Sequence, residues 1–379
     1  MNVYFDNAAT TMPCSEAVSA VTEALCENYG NPSAAYFLGR KAAESVQRAR
    51  ESVARALGCR QDEVYFTSGG TESDNWAIRA GAHYGRHRGR RIVTGKAEHD
   101  AVRKTCEALA AEGWEVVSLK PDKNGRVTEE AVAEALTEDT VLVSLMLVNN
   151  ETGAVNPISG ISELVREKSP NALLHVDAVQ GLLKVPFTPK RLGADLVSVS
   201  SHKIHGPKGA GALYIRDGLK LTGILTGGGQ EKAIRPGTEA VPAILGFGAA
   251  AEVGWRNFAE NTEKISAVKN RVLELLSARL PDAKINGSPD APHILSVSLP
   301  GYRSETVMNY LDAAGISVSR SSACKRGARS HVLEAMGLAP DIIDGTVRLS
   351  FSRYSTVEEA EYFIDKLADA AASLRTARR

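Results

Sequence analysis

Short β-branched runs recur along the chain between residues 64 and 199, and this alternation constrains the fold more than any other feature. Val64–Thr67, Arg91–Thr94, Glu115–Leu119, Val141–Leu145, Leu173–Val176 and Leu196–Val199 read as strands, and Gly211–Ile215 adds another. The stretches between them, such as Thr71–Ala82, Ala101–Glu112 and Ile161–Lys168, carry apolar residues at helical spacing. This order predicts an α/β fold, a mostly parallel sheet with helices on both faces. Ligands of such sheets bind beyond the carboxyl ends of the strands.

The flanking segments follow other patterns. Residues 1–14 predict an extended arm, with Asp6-Asn7-Ala8-Ala9-Thr10-Thr11 too small and polar for core. Helical periodicity covers Glu16–Glu27 and Arg40–Leu57 around the turn-rich Gly30-Asn31-Pro32-Ser33. Past Gly227-Gly228-Gly229-Gln230 the strand rhythm stops, and one long helical pattern runs from about Val241 to Ala278. A strand near His293–Leu299, a helix over Ser304–Ala314, a loop carrying Cys324, a helix over Ser330–Met336, a strand at Thr346–Ser350 and a last helix from Thr356 complete a smaller α+β unit. The predicted division is a large domain over 15–258 and a small one over 259–379, joined by the arm 1–14.

Lys+Arg and Asp+Glu both total 45 in 379 residues, so no global field draws the chain to nucleic acid or to a membrane. No apolar stretch is long enough to span a bilayer, and the first residues lack a basic region followed by an apolar one. The expectation is a cytoplasmic protein. Five cysteines (Cys14, Cys26, Cys59, Cys106, Cys324) lie scattered without a C-x-x-C pair, which suggests neither a disulfide framework nor a metal site. The first four read as packing residues.

Polar residues cluster where the strands end. Lys203, in Ser200-Ser201-His202-Lys203-Ile204-His205-Gly206, follows an apolar run, and its small neighbours suit a Schiff-base lysine better than a solvated one. Asp177 ends another apolar run and would be costly to bury ionised without a cation. Thr67-Ser68-Gly69-Gly70-Thr71 lies between strand and helix, either an anion cup of backbone amides or a helix start capped by Ser68 or Thr71. His99 opens a helix, and Asn149-Asn150 closes a turn. Lysine, carboxylate and phosphate cup together are what pyridoxal 5'-phosphate requires: a covalent anchor, a partner for the protonated ring nitrogen and a phosphate site.

These motifs, with Asn149-Asn150-Glu151-Thr152-Gly153, Val176-Asp177-Ala178-Val179-Gln180, Arg235-Pro236-Gly237-Thr238 and Ser321-Ser322-Ala323-Cys324, resemble the cysteine desulfurases of the NifS/IscS type over nearly the whole chain. The resemblance implies a fold-type-I pyridoxal phosphate enzyme with a seven-stranded type of sheet, acting as a homodimer on L-cysteine. It implies that Lys203 anchors the cofactor and moves the Cα proton, that Asp177 pairs with the ring nitrogen, and that Gln180 bonds the phenolic oxygen. His99 would stack on the ring and assist proton transfer, and Asn150 would help seat ring or substrate. Gly70, Thr71, Ser200 and His202 would hold the phosphate, with Thr238 supplied by the second subunit. Arg348 would grip the substrate carboxylate, ahead of Arg353.

Cys324 would take the sulfur as a persulfide and pass it to an acceptor protein for iron–sulfur cluster assembly or tRNA thiolation. Four cations, Arg320, Lys325, Arg326 and Arg329, lie within a few residues and favour its thiolate. The loop is shorter and more basic than in the housekeeping members, Tyr36 stands where histidine is usual, and Asp100 replaces a common proline. A selenocysteine lyase or another fold-type-I lyase or aminotransferase is the alternative of the same fold. A non-catalytic sulfur-relay protein is the alternative of another class.

Overall fold

The computed structural model describes residues 1–320 and 329–374; Cys324 and its neighbours from 321 to 328 lie outside them. The arm contributes β1 (Val3–Tyr4). Seven strands then form the large sheet: β2 (Val64–Thr67), β3 (Arg91–Gly95), β4 (Glu115–Leu119), β5 (Thr140–Met146), β6 (Leu173–Asp177), β7 (Leu196–Ser200) and β8 (Gly211–Ile215). Their order is β2-β8-β7-β6-β5-β3-β4, and only β8 runs against its neighbours. The central strands are apolar on both faces because helices cover both. Val143, Leu174, Val176, Val197 and Val199 pack to one side, and Leu142, Leu173, Leu196 and Leu213 pack to the other with Trp76 and Ile78 of the helix Gly70–Gly85.

The second sheet is built from β9 (Lys284–Ile285), β10 (Ile294–Ser298), β12 (Ser319–Arg320) and β13 (Thr346–Ser350), in the order β12-β13-β10-β9 and antiparallel throughout. The strand β11 (Ile316–Ser317) pairs in parallel with β1. A separate apolar cluster fills this region, with Val3, Phe5, Leu295, Val297, Leu349, Phe351 and Phe363 at its centre.

Two expectations are corrected here. The helical pattern over 241–278 is two helices, Val241–Arg256 and Phe258–Arg279, broken at Asn257, whose backbone leaves the helical region. The first packs on the helices Ser15–Cys26 and Phe37–Leu57, the second on Val357–Ser373, so the break is where the chain changes its packing partner. The arm, in turn, is core: Phe5 is fully buried, Asn7, Ala8 and Thr11 are buried, and the Asn7 side-chain amide donates to the carbonyl of Ser350 at 2.9 Å. Small residues are what allow it to thread this tightly. Of the cysteines read as packing residues, Cys14 and Cys106 are buried but Cys26 is exposed. No helix among the described residues is long and apolar enough to cross a membrane.

Candidate active site

Because β2, β3, β5, β6 and β7 run in parallel, their carboxyl ends deliver Gly70, His99, Asn150, Asp177 and Ser200 to one edge of the sheet. The arm crosses the same edge. Lys203, in the single turn after β7, donates from Nζ to the carbonyls of Ala8 at 2.6 Å and Ala9 at 2.7 Å. Burial brings its amine down to about 8, and Arg348 pushes the same way while Asp6 and Asp177 oppose. The Ala8 carbonyl also accepts from Nε2 of the buried Gln180 at 2.9 Å, which places lysine and glutamine on one acceptor.

Asp177 ends β6, buried, with Oδ1 accepting from the Val179 amide at 2.9 Å. Burial raises its carboxyl pKa, and His99 and Lys203 draw it back down. A second acid, Asp74 on the helix Gly70–Gly85, is buried behind it with an unpartnered Oδ1, and burial and Asp177 together raise its pKa well above the carboxylate range. His175 lies 3.6 Å from Asp74. It is no counter-ion, because burial takes its imidazole down to about 3 and both ring nitrogens meet hydroxyls, Ser144 at 2.8 Å and Ser198 at 2.9 Å. Two buried carboxyls close to one another, offset only in part by His99 and Lys203, form a site suited to a protonated ring nitrogen.

The phosphate cup keeps its donors. The helix Gly70–Gly85 starts at Gly69, φ 153°, with no side-chain cap from Ser68 or Thr71, so its first amides are left without intrahelical acceptors. Ser200 stands beside this start with a buried, unpartnered Oγ. A Cβ at Gly70 would come within 2.7 Å of Val179 Cγ2 and 3.7 Å of Ser200 Cβ, so glycine keeps the cup open. Glu72 folds back to accept from the Ser68 amide at 2.8 Å and takes both ends of the Arg235 guanidinium, at 2.7 and 3.0 Å. That pair ties the cup to the loop bearing Thr238, which is exposed and joined to the cluster by no described hydrogen bond.

The remaining candidates fall around this centre. His99 caps the helix Asp100–Ala111, its Nδ1 accepting from the Ala101 amide at 3.2 Å, and is also close enough to Asp177 to stabilise its charge. His202 faces the arm, with Nδ1 3.2 Å from Thr10 Oγ1, and burial with Lys203 lowers it to about 4. Arg348 on β13 is buried and donates to the Asn150 carbonyl at 2.9 Å and to Asp6 Oδ1 at 2.7 Å, leaving its Nε without a partner. The Asn150 side chain has no described hydrogen bond, whereas Asn149 Oδ1 accepts from the amides of Glu151 and Thr152 and holds the turn. Asp6 and Asp74 were not legible as site residues; the only signal for Asp74 was a charged residue on an otherwise apolar helix face. Among the described residues no group of His, Cys, Asp and Glu is placed to hold a metal. The residues present fit pyridoxal phosphate: an amine of lowered pKa, a charge-deficient carboxyl pair and an open anion cup.

Comparison with known proteins agrees with this chemistry. The family model described as "Aminotransferase class-V" matches residues 3–363. A protein named cysteine desulfurase IscS from Methanosarcina thermophila is 40% identical over 98% of this chain and 93% of its own length. One of the same name from Clostridium botulinum is 40% identical over 96% and 93%. A solved structure titled NifS-like protein superposes with a TM-score of 0.93 at 38% identity, covering 99% of this chain and all of its own. The chain belongs to the aminotransferase class-V family and, within it, to the IscS and NifS group of cysteine desulfurases.

Proposed function

We propose that the chain is a cysteine desulfurase that holds pyridoxal 5'-phosphate and moves the sulfur of L-cysteine to Cys324. The observation that carries this reading is the meeting of Lys203, the Asp74–Asp177 pair and the uncapped helix start at Gly70 on one sheet edge. When bound, the cofactor supplies an electron sink for chemistry at the substrate Cα. Asp177 would lie against its ring nitrogen, Gln180 against its phenolic oxygen and His99 against the ring face. The Gly70 and Thr71 amides, Ser200 and His202 would hold the phosphate. Lys203, with its amine near 8, is suited both to anchor the group and to carry the Cα proton.

Arg348 presents a bare Nε and, by releasing Asp6, a second donor for the substrate carboxylate, with Asn150 beside it. The Cys324 thiolate attacks the sulfur of the bound cysteine; the Cβ–S bond breaks, a persulfide forms on Cys324, and Cβ takes a proton to give L-alanine. No outside oxidant is needed. The persulfide then passes to an acceptor protein serving iron–sulfur assembly or tRNA thiolation.

A homodimer belongs to the same reading. Tyr29, Tyr36 and Phe37 are exposed on one stretch, a surface a second copy would cover, and exposed Thr238 is the residue that copy would receive. So do the division into 15–258 and 259–379 with the arm, which the separate apolar clusters support, and a cytoplasmic setting. The test is a single turnover with excess L-cysteine and no reductant. Alanine together with a one-sulfur mass increase on Cys324 is the expected result; pyruvate, keto-acid exchange or an unmodified Cys324 would overturn it.

A further inference from the structure

We infer that His293 is a positioning residue for Gln180, fixing which way its amide faces the cofactor; the inference rests on the function proposed above. His293 immediately precedes β10, in the region of the second sheet, and is 1% exposed. Its Nε2 lies 3.3 Å from Gln180 Oε1. Gln180 Nε2 is 2.9 Å from the Ala8 carbonyl, an acceptor only, so the amide nitrogen must face the arm and the amide oxygen must face His293. That requires the proton of the imidazole on Nε2, and its Nδ1, buried without a partner, is the bare nitrogen. A second proton would find no acceptor there, and burial, with Lys184, Lys269, Arg348 and Lys203 around the ring, keeps it off.

The amide nitrogen of Gln180 has two hydrogens. The Ala8 carbonyl takes one, and the other is the donor available to the phenolic oxygen. A free glutamine amide can turn over and present oxygen instead, which would repel a phenolate. His293 removes that alternative by donating to Oε1. The contact also crosses between the two sheets, so the orientation is set by the same segment that packs on the active-site turn, where the Ala291 amide donates to the Gly153 carbonyl at 2.9 Å.

The test reads the bound cofactor's visible absorption against pH in the full-length loaded protein. A hydrogen bond donated to the phenolic oxygen favours its deprotonated form, so losing it raises the titration midpoint. His293→Leu, and His293→Phe should the first fail to fold, are expected to raise the midpoint by about half a unit to one unit. His293→Gln, which keeps an N–H near the Nε2 position, is expected to stay close to the wild type. In a Gln180→Met background, His293→Leu is expected to add no further shift. An unchanged midpoint in the donor-less variants, an equal shift in His293→Gln, or an additive shift over Gln180→Met overturns the inference alone. A wild-type protein that takes up no cofactor overturns the function proposed above and this inference with it.

Discussion

Replacing Glu151 by glutamine isolates one buried proton. Glu151 is 3% exposed, follows Asn150 in the active-site turn, and accepts from the Ser330 hydroxyl that caps the helix His331–Ala335. Burial pushes its carboxyl up to about 8, with Ser330 and Arg348 opposing. The folded chain therefore holds a proton that the unfolded chain, near its ordinary value of 4.5, releases. A group of this kind stabilises fully below the unfolded value, and its contribution is lost as pH rises through the folded one. Across that window the loss is about 1.4 kcal/mol per pH unit, so between pH 5.5 and 7.5 it comes to about 3 kcal/mol. Glutamine keeps the shape and does not titrate. The assay is urea unfolding of wild type and Glu151→Gln at half-unit pH steps. The difference between the two curves should fall with that slope and level off near pH 8, a relative change of about 3 °C in melting temperature for a chain of this size. Parallel curves would refute the reasoning, because they would mean that Glu151 titrates alike in both states.

Four further outcomes follow from the site. Cys324→Ser should keep the cofactor's visible absorption and lose the sulfur adduct, measured by spectrum and intact mass; an adduct elsewhere would displace Cys324 from its role. Arg348→Lys should raise KM for L-cysteine by about 10- to 100-fold, since one charge-assisted bond of a fork is lost, with the fold intact by circular dichroism. Gly70→Ala should weaken cofactor retention at least tenfold in equilibrium dialysis, because the new methyl meets Val179 and narrows the cup. The rate of cofactor uptake by the stripped protein should climb about tenfold per pH unit and level off near pH 8, where the Lys203 amine is free; a flat profile would count against that value.

The parallel sheet was legible because its strands are buried on both faces and their apolar runs stand out against helical spacing. Lys203 and Asp177 were legible for a related reason, as charged residues where apolar runs stop. What escaped depends on contacts far apart in the chain. Phe5 looks like one aromatic in a polar arm until Phe351 and Phe363 close on it, with ring centroids 5.0 and 5.9 Å away. Asp74 follows a helix start like any solvated acid, and only the packing of that helix on the sheet buries it. The break at Asn257 is invisible to periodicity because both helices keep the pattern, and what changes is the surface each one meets. The two-residue strands β1, β9, β11 and β12 are too short to carry a pattern.

The threading of the arm also bears on how the protein is made. Asn7 reaches Ser350 across 343 residues of sequence, and the Asp6 backbone bridges to the same residue. During synthesis the first residues emerge long before their partners on β13, and the large sheet can be complete while the arm across its edge still lacks that anchor. Until Ser350 has left the ribosome, the arm is held over Lys203 by residues made earlier, Gln180 on the Ala8 carbonyl and His202 on Thr10 and Thr11, without its anchor on β13. Closing so long a loop is slow and comes late. The nascent chain thus passes through a state with a finished sheet and an arm fastened at one end, and the contact of Asn7 with Ser350 closes last.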